Sequence, residues 1–365
     1  MIGIADTHLT EAEIDAAVDV LRSGMLRQGP QVASFERDFA AFVGARHAVA
    51  SINGTTALHI AFACFLKPGD EVLVPSFTFI ATATMVIAAG GVPVMCDVDP
   101  ETWLIDLDDA AAKTTDRTRA IVPVHLFGNV CDIDAVKAFA DRHDLQIVWD
   151  AAQAHGATFD SRDVGSFGDY VTYSFYPTKN MFVGEGGMTC TNQEDSDAQM
   201  RLLREHGMPS RYRHTMLGYN YRMTDVAAAI GRAQLKRLPD MLARRRRNGE
   251  RLLAGLHGLP GLTLPTVTPR AHHAWHQFCV LVDKEGFGLD RDELAAFLRE
   301  NEVGSAVHYP MGLHQQPVFV EMYGAQHLPV TEHLASTILA LPVHHGLSDS
   351  DIDQVVEVIR EVAAD

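Results

Sequence analysis

The chain has 365 residues, 47% of them apolar, and 47 Asp+Glu against 30 Lys+Arg, for a formal net charge of -17. That length exceeds what one small core uses and predicts two domains. The acidic balance, with no basic stripe to follow a phosphate backbone, argues against a nucleic-acid partner.

The chain opens on MIGIADTHLTEAEIDAAV, which lacks the basic-then-apolar order of a secretory signal, and Thr10-x-x-Glu13 is a capping-box pattern that starts a first helix. A second helix is expected through VASFERDFAAFVG. Then come a strand at 47–52, a helix at 55–66, a strand at 71–75, a helix at 78–89 and a strand at 92–98. The uncharged run 75–96 approaches membrane-span length, but Gly90, Gly91 and Pro93 break it into a buried helix and a strand, and no membrane span is expected. RAIVPVH at 119–125, a helix near 133–142 and LQIVWD at 145–150 continue the alternation, which predicts an α/β layered domain with right-handed parallel crossovers.

Past residue 170 the order changes. YVTYSF and GMTCTN are strand candidates, and helices are expected near 194–206, 223–238 and 240–256. GLPGLTLPTVTP at 258–269 is dense in Pro and Gly and marks a boundary, giving a large domain over 1–257 and a small α+β domain over 258–365. In the latter, WHQFCVLV and EVGSAVHY are strand candidates, with helices at 290–300 and near 349–363.

Three segments can carry chemistry. In SINGTTALHIA (51–61) a strand runs into a turn and at once into an apolar helix. Free amides at such a helix start form an anion site; Gly54 admits close backbone approach and Thr55 or Thr56 can add a hydroxyl, although a plain threonine-capped turn has the same pattern. In VWDAAQAHGA (148–157) Asp150 ends an apolar strand, where open α/β sheets place ligands; it can cap the next turn or face a cationic ring nitrogen. Gln153 and His155 follow, the histidine reading first as a structural hydrogen-bonder. In SFYPTKN (174–180) Pro177 and the aromatics constrain the turn that carries Lys179, and a desolvated lysine offers a neutral amine to a carbonyl. Alone, each is ordinary. A phosphate cradle, a strand-end aspartate and a lysine in that chain order fit pyridoxal phosphate.

No Walker loop, GxGxxG, HExxH or Cys/His metal spacing is present, so nucleotide-triphosphate, dinucleotide and metal chemistry are not expected. The five cysteines are scattered, odd in number and free of CxxC, which predicts reduced thiols in a cytoplasmic protein.

Taken together, GPQVASFERDFAAFVG, NGTTALH, GDEVLVPSFTFIATA, VHLFGN, DAAQAHGA, VGSFGDYVTYSFYPTKN, GEGGM, LREHG, LGYNYRMTDVAAAIGRAQL and HYPMGLHQQP span nearly the whole chain. In this order they resemble the DegT/StrS-type sugar aminotransferases, a branch of the aspartate-aminotransferase-like fold (fold type I). The resemblance implies a large pyridoxal-phosphate domain with a mixed, mainly parallel sheet flanked by helices. It implies that Lys179 forms the internal aldimine and Asp150 pairs with the pyridinium nitrogen. Gln153 would lie near the ring hydroxyl, Phe79 would stack on the ring, and Gly54, Thr55, Thr56 and Ser174 would hold the phosphate. Asn220 would reach the phosphate of the other subunit in a homodimer, with Arg222 lining the shared site. His308, Tyr309 and the turn at 25–30 are candidate sugar contacts. The implied reaction moves an amino group from a donor, most often glutamate, through pyridoxamine phosphate to a keto-sugar. The keto-sugar is typically nucleotide-linked, and the segments around Lys179 and Asn220 look most like 4-aminotransferases of the GDP-perosamine synthase kind. Relatives that dehydrate deoxysugars carry histidine where Lys179 stands. The alternatives are a cyclitol or other non-nucleotide substrate, or a regulatory protein that binds the cofactor without turnover.

Overall fold

The computed structural model describes residues 1–362. The chain begins with helices α1 (Glu11–Ser23) and α2 (Pro30–Val43), and then alternates. Strand β1 (His47–Ser51) is followed by α3 (Gly54–Ala63), β2 (Glu71–Pro75), α4 (Ala81–Ala88), β3 (Val92–Cys96), α5 (Leu107–Lys113), β4 (Thr118–Ile121) and α6 (Ile133–His143). The expected strand at 145–150 is two short pieces, β5 (Gln146–Ile147) and β6 (Trp149–Asp150).

These two pieces join the main layer. β3, β2, β4 and β5 lie side by side in that order, all parallel. β6 pairs in parallel with β9 (Val171–Ser174), and β9 with β10 (Gly187–Thr191) and β10 with β1 are antiparallel. A parallel bridge between Val124 and Asp150 links the two sets, so the layer is mixed but mainly parallel, as expected. Every residue of β2, EVLVP, is buried, the pattern of a strand covered on both faces. The apolar α3 and α4 supply part of that cover, with Phe62, Ile60, Ala83 and Val86 in the same core as Val72 and Val74. The short β7 (Thr158–Phe159) and β8 (Arg162–Asp163) form a separate ribbon with β12 (Ala271–His272).

After α7 (Glu194–Arg204) the sequence predicts two helices, but the structure has one, α8 (Asp225–Leu256), with Pro239 inside it. An interior proline costs about 3 kcal/mol. Burial on both sides of it offsets that cost: Leu235, Leu238, Met241 and Leu242 are all buried, and α8 packs on α1, α2 and the last helix.

The later elements are β11 (Leu262–Thr263), β12, β13 (Phe278–Val282), α9 (Lys284–Phe287), α10 (Arg291–Glu300), α11 (Pro317–Tyr323), α12 (Pro329–Thr337), β14 (Ile338–Leu341) and α13 (Asp349–Val362). β11, β13 and β14 form an antiparallel sheet whose core includes Ile2 from the chain's start. The strand expected at 302–309 is reduced to two bridges, Val303 with Ile2 and Ala306 with Ala340. Its two halves meet different partners, so no single ladder can extend. Residue 363, the expected end of the last helix, lies outside the described residues. No helix among the described residues is long and apolar enough to cross a membrane.

The N-terminal helices are tied to α8 by buried carboxylates. Glu13 closes the predicted capping box on Thr10 and also pairs with Arg237. Asp225, at the first turn of α8, accepts from the amides of Gly29 (2.8 Å), Val32 (3.0 Å) and Gln31 (3.2 Å). A Cβ on Gly29 would stand 2.6 Å from that carboxylate, so the contact requires glycine. Asp225→Ala leaves these amides without their acceptor and should lower the unfolding free energy by about 3 kcal/mol in urea denaturation. A loss under about 0.5 kcal/mol would place it among neutral surface changes and dismiss the contact.

Candidate active site

Asp150 ends the central strand and is 4% exposed. Its carboxylate accepts from the Thr82 hydroxyl (3.0 Å) and the Ala152 amide (3.1 Å). Desolvation raises its pKa; these two bonds and the nearby Lys179 ammonium pull it back. Two neutral donors leave part of the carboxylate's capacity unused, and a cation would be the strongest remaining partner. Thr82, on α4 one turn after Thr78, was not singled out from the sequence. The only signal was the i, i+4 pair of hydroxyls in TFIAT, which stand 3.3 Å apart.

Lys179 lies on the turn between β9 and β10, and its amide donates to Tyr176 O (2.9 Å). The turn's far side is fixed by α8, where Gln234 Oε1 accepts from the Phe182 amide (2.8 Å). Burial lowers the Lys179 pKa to about 8, against the opposing pull of Asp150. The lysine is half-buried, not fully exposed as its charge alone would suggest, and lies within electrostatic reach of a buried acid. His155 is also buried, with its ring 5.3 Å from Tyr173 and 5.6 Å from Phe175. Neither ring nitrogen makes a hydrogen bond of good geometry, although the Ser174 backbone is near enough to favour the charged form, so aromatic packing is its clearest contact. Desolvation, with Lys179 adding repulsion, pushes its pKa down to about 3 and keeps it neutral.

The start of α3 meets Ser174 directly. A Cβ on Gly54 would fall 2.7 Å from Ser174 Cβ and 3.0 Å from its hydroxyl, so only glycine permits this approach. Asn53 caps the helix by accepting from the Thr56 amide (2.9 Å), and the Thr56 hydroxyl donates back to Asn53 O (2.9 Å). Thr56 therefore has both donors committed to the cap. Thr55 makes no side-chain hydrogen bond among the described residues, which leaves its hydroxyl available to an anion at the helix start.

On the opposite wall, Gln153 is held at both ends of its amide. Its Oε1 accepts from the Phe127 amide (2.6 Å), and its Nε2 donates to the Tyr309 hydroxyl (3.0 Å). Phe127 adopts φ 57°, which turns its N–H toward that acceptor. Tyr309 thus joins the ring-side residues through Gln153, a link that the sequence did not reveal. Phe79 is 56% exposed, with its ring 6.4 Å from that of Tyr309, leaving an aromatic face open beside the site. The loop that carries it is anchored by Ser76, whose hydroxyl meets His314 Nδ1 at 2.7 Å. His308 is near enough to Lys179 that the ammonium adds to desolvation in lowering its pKa.

Asn220 and Arg222 do not join this group within one chain. Asn220 is exposed, in a segment whose neighbour Tyr221 accepts from the Ile52 amide (2.8 Å) just before α3. Arg222 pairs with Glu205 at 2.8 Å. With Arg27 and Gln28 of the turn at 25–30 it lines a cavity of about 480 Å³ that includes none of Gly54, Asp150, Ser174 and Lys179.

These residues fit pyridoxal phosphate on chemical grounds. The Gly54–Ser174 approach leaves free donors at a helix start, the buried Asp150 lacks a full complement of partners, and Lys179 offers an amine of lowered pKa.

The comparisons with known proteins agree. The model of the DegT/DnrJ/EryC1/StrS aminotransferase family matches residues 7–360. The spore coat polysaccharide biosynthesis protein SpsC of Bacillus subtilis is 39% identical, covering 96% of this chain and 94% of SpsC. GDP-perosamine synthase of Caulobacter vibrioides is 39% identical, covering 99% of this chain and 98% of that one. The crystal structure of DesV from S. venezuelae, in complex with a ketimine intermediate, superposes with a TM-score of 0.92 at 36% identity, covering 97% of this chain and 94% of DesV. The chain belongs to the DegT/DnrJ/EryC1/StrS family of pyridoxal-phosphate-dependent aminotransferases.

Proposed function

We propose that this protein is a sugar aminotransferase that moves an amino group from L-glutamate to a nucleotide-linked 4-keto-6-deoxyhexose, with Lys179 as its catalytic amine. The observation that carries the reading is a half-buried lysine of lowered pKa within electrostatic reach of a buried strand-end carboxylate, with the glycine-opened start of α3 against Ser174. The similarity to GDP-perosamine synthase supports the choice of sugar.

When bound, pyridoxal phosphate supplies an aldehyde for the amino group and a cationic ring that accepts the electron pair left on carbon. Gly54, Thr55 and Ser174 would hold its phosphate, with Thr56 contributing through the cap that it shares with Asn53. Asp150 would pair with the ring nitrogen and keep it protonated, Gln153 would serve the ring hydroxyl, and Phe79 would stack on the ring. Lys179 Nζ would hold the aldehyde and would be the group that takes the proton from the donor's α-carbon. In the second half of the cycle it returns a proton to the sugar carbon. His308 and Tyr309 line the sugar side, where the residues through 257 meet those from 258 onward.

The site is completed by a second copy of the chain. Asn220 reaches the partner's phosphate, and Arg222 with the 25–30 turn borders the partner's sugar cleft. The exposed side chains Tyr212, Leu217 and Tyr219, all within one loop segment, support a covered face here, since large apolar groups gathered in one segment are unusual on a free surface.

The direct test is to incubate the enzyme with glutamate and a panel of nucleotide-linked keto-sugars, following cofactor absorbance and 2-oxoglutarate release. No spectral response to any amino donor would overturn the assignment; turnover of free cyclitol ketones alone would move it to the other substrate class. Lys179→Ala should lower turnover by about 10³-fold. Asp150→Asn, which keeps the shape and removes the charge, should lower kcat by about 10²-fold with the cofactor still retained.

pH dependence follows from the lysine. Only the neutral amine attacks an aldehyde, and with a pKa of about 8 its share rises roughly tenfold between pH 7 and 9 and then levels off. Cofactor uptake by the apo-protein should show that plateau. A rate still climbing steeply past pH 9 would indicate an ordinary, solvated lysine. Mixing inactive Lys179→Ala chains with Asn220→Ala chains should restore about a quarter of wild-type activity, because half of the dimers carry one intact shared site. No gain over the parents after subunit exchange would refute the sharing.

A further inference from the structure

We propose that Asn180 is a positioning residue for Lys179, holding the lysine turn against the strap Ala274–Gln277 that leads into β13. The proposal rests on the assignment of Lys179 as the catalytic amine and adds the device that keeps it in place.

Asn180 is 1% exposed, and its side chain makes one hydrogen bond, from Nδ2 to Ala274 O (2.9 Å); its Oδ1 has no partner. Burying an amide for a single bond is a poor route to stability, so the bond's geometric effect is what stands out. The next two carbonyls of the strap, Trp275 O and His276 O, accept from the Arg245 guanidinium at 3.2 and 3.4 Å. Three consecutive carbonyls are therefore held by side chains from the lysine turn and α8. Two of the strap's amides face the other way: Ala274 N donates to Gly128 O (2.9 Å) and Gln277 N to Phe127 O (3.2 Å), while Trp275 N donates to His273 Nδ1 (2.8 Å). Phe127 N in turn donates to Gln153.

The strap thus connects the lysine turn to the loop that orients Gln153, and a loosened Asn180 bond frees the turn on one side. Gly128 shows how close the fit is: at φ 97°, a Cβ there would lie 3.1 Å from Ala274 Cβ and from the amides of Trp275 and His276. The groups that face Lys179 come from every wall. They are Asp150 from the strand end, His155 from the next turn, His276 from the strap and His308 from beyond β13. All three imidazoles are shifted toward the neutral form, with Arg245 adding positive charge beside His155 and His276. If the turn loosens, water enters and the amine moves toward ordinary lysine behaviour.

The test uses apo-protein exposed to acetic anhydride across a pH series, with Lys179 acylation quantified by mass spectrometry after digestion. The wild-type midpoint should lie near 8. Asn180→Ala should move it up by about one unit, which leaves roughly tenfold less neutral amine near pH 7. In the reloaded enzyme, kcat should fall by a similar factor with the KM for the sugar unchanged. Asn180→Ser, which keeps a small polar group but not the reach, serves if the alanine variant does not fold. A wild-type midpoint above 10, or an unchanged midpoint and kcat in a folded variant, would overturn the proposal for Asn180. Full turnover in Lys179→Ala would instead defeat the catalytic assignment itself.

Discussion

Taking an ammonium and a carboxylate out of water at one sheet edge costs several kcal/mol for each ion, and only their mutual attraction and added hydrogen bonds offset it. Asp150 is buried and Lys179 is half-buried within its electrostatic reach, so both meet part of this cost. Desolvation drives the lysine pKa down and the aspartate pKa up, and each charge partly restores the other. Thr82 and the Ala152 amide add two hydrogen bonds to the carboxylate. Under the proposed assignment, a cofactor with a cationic ring nitrogen and an aldehyde would satisfy both groups at once.

The framework that brings the pair together is the mixed sheet. Residues 146–150 sit where the parallel set ends and β9 begins, so Asp150 emerges at a change of strand partner, where open sheets have room for a ligand. The antiparallel return of β9 into β10 places the lysine turn beside it, and the pairing of β10 with β1 brings the start of α3 against Ser174. The start of α3 at Gly54 thus meets Asp150 and Lys179 from roughly a hundred residues away, and the sheet aligns all three.

Much of this was legible in the sequence where the signal is local. The capping box at Thr10, the glycine that opens α3, the short strand β2 and the strand-end aspartate each depend on a few neighbouring residues, and the structure keeps all of them. Tertiary burial was not legible. Pro239 stops a helix when judged by propensity, yet α8 runs through it because its apolar side chains are covered by three other helices. His155 was expected to bond through its ring nitrogens, but it lies between two aromatic rings, a setting no turn pattern specifies. The link from Gln153 to Tyr309 spans 156 residues and has no sequence signal at all.

The sequence by itself determined which chemical groups are present and in what order: a glycine-opened helix, a carboxylate at a strand end and a lysine on a constrained turn. Those follow from short-range patterns, whose physics is complete within a few residues. The tertiary structure decided which of these groups lose their water, which threonine stays free and what clamps the lysine turn. Such properties depend on atoms that arrive from distant segments, and packing, not local preference, sets them.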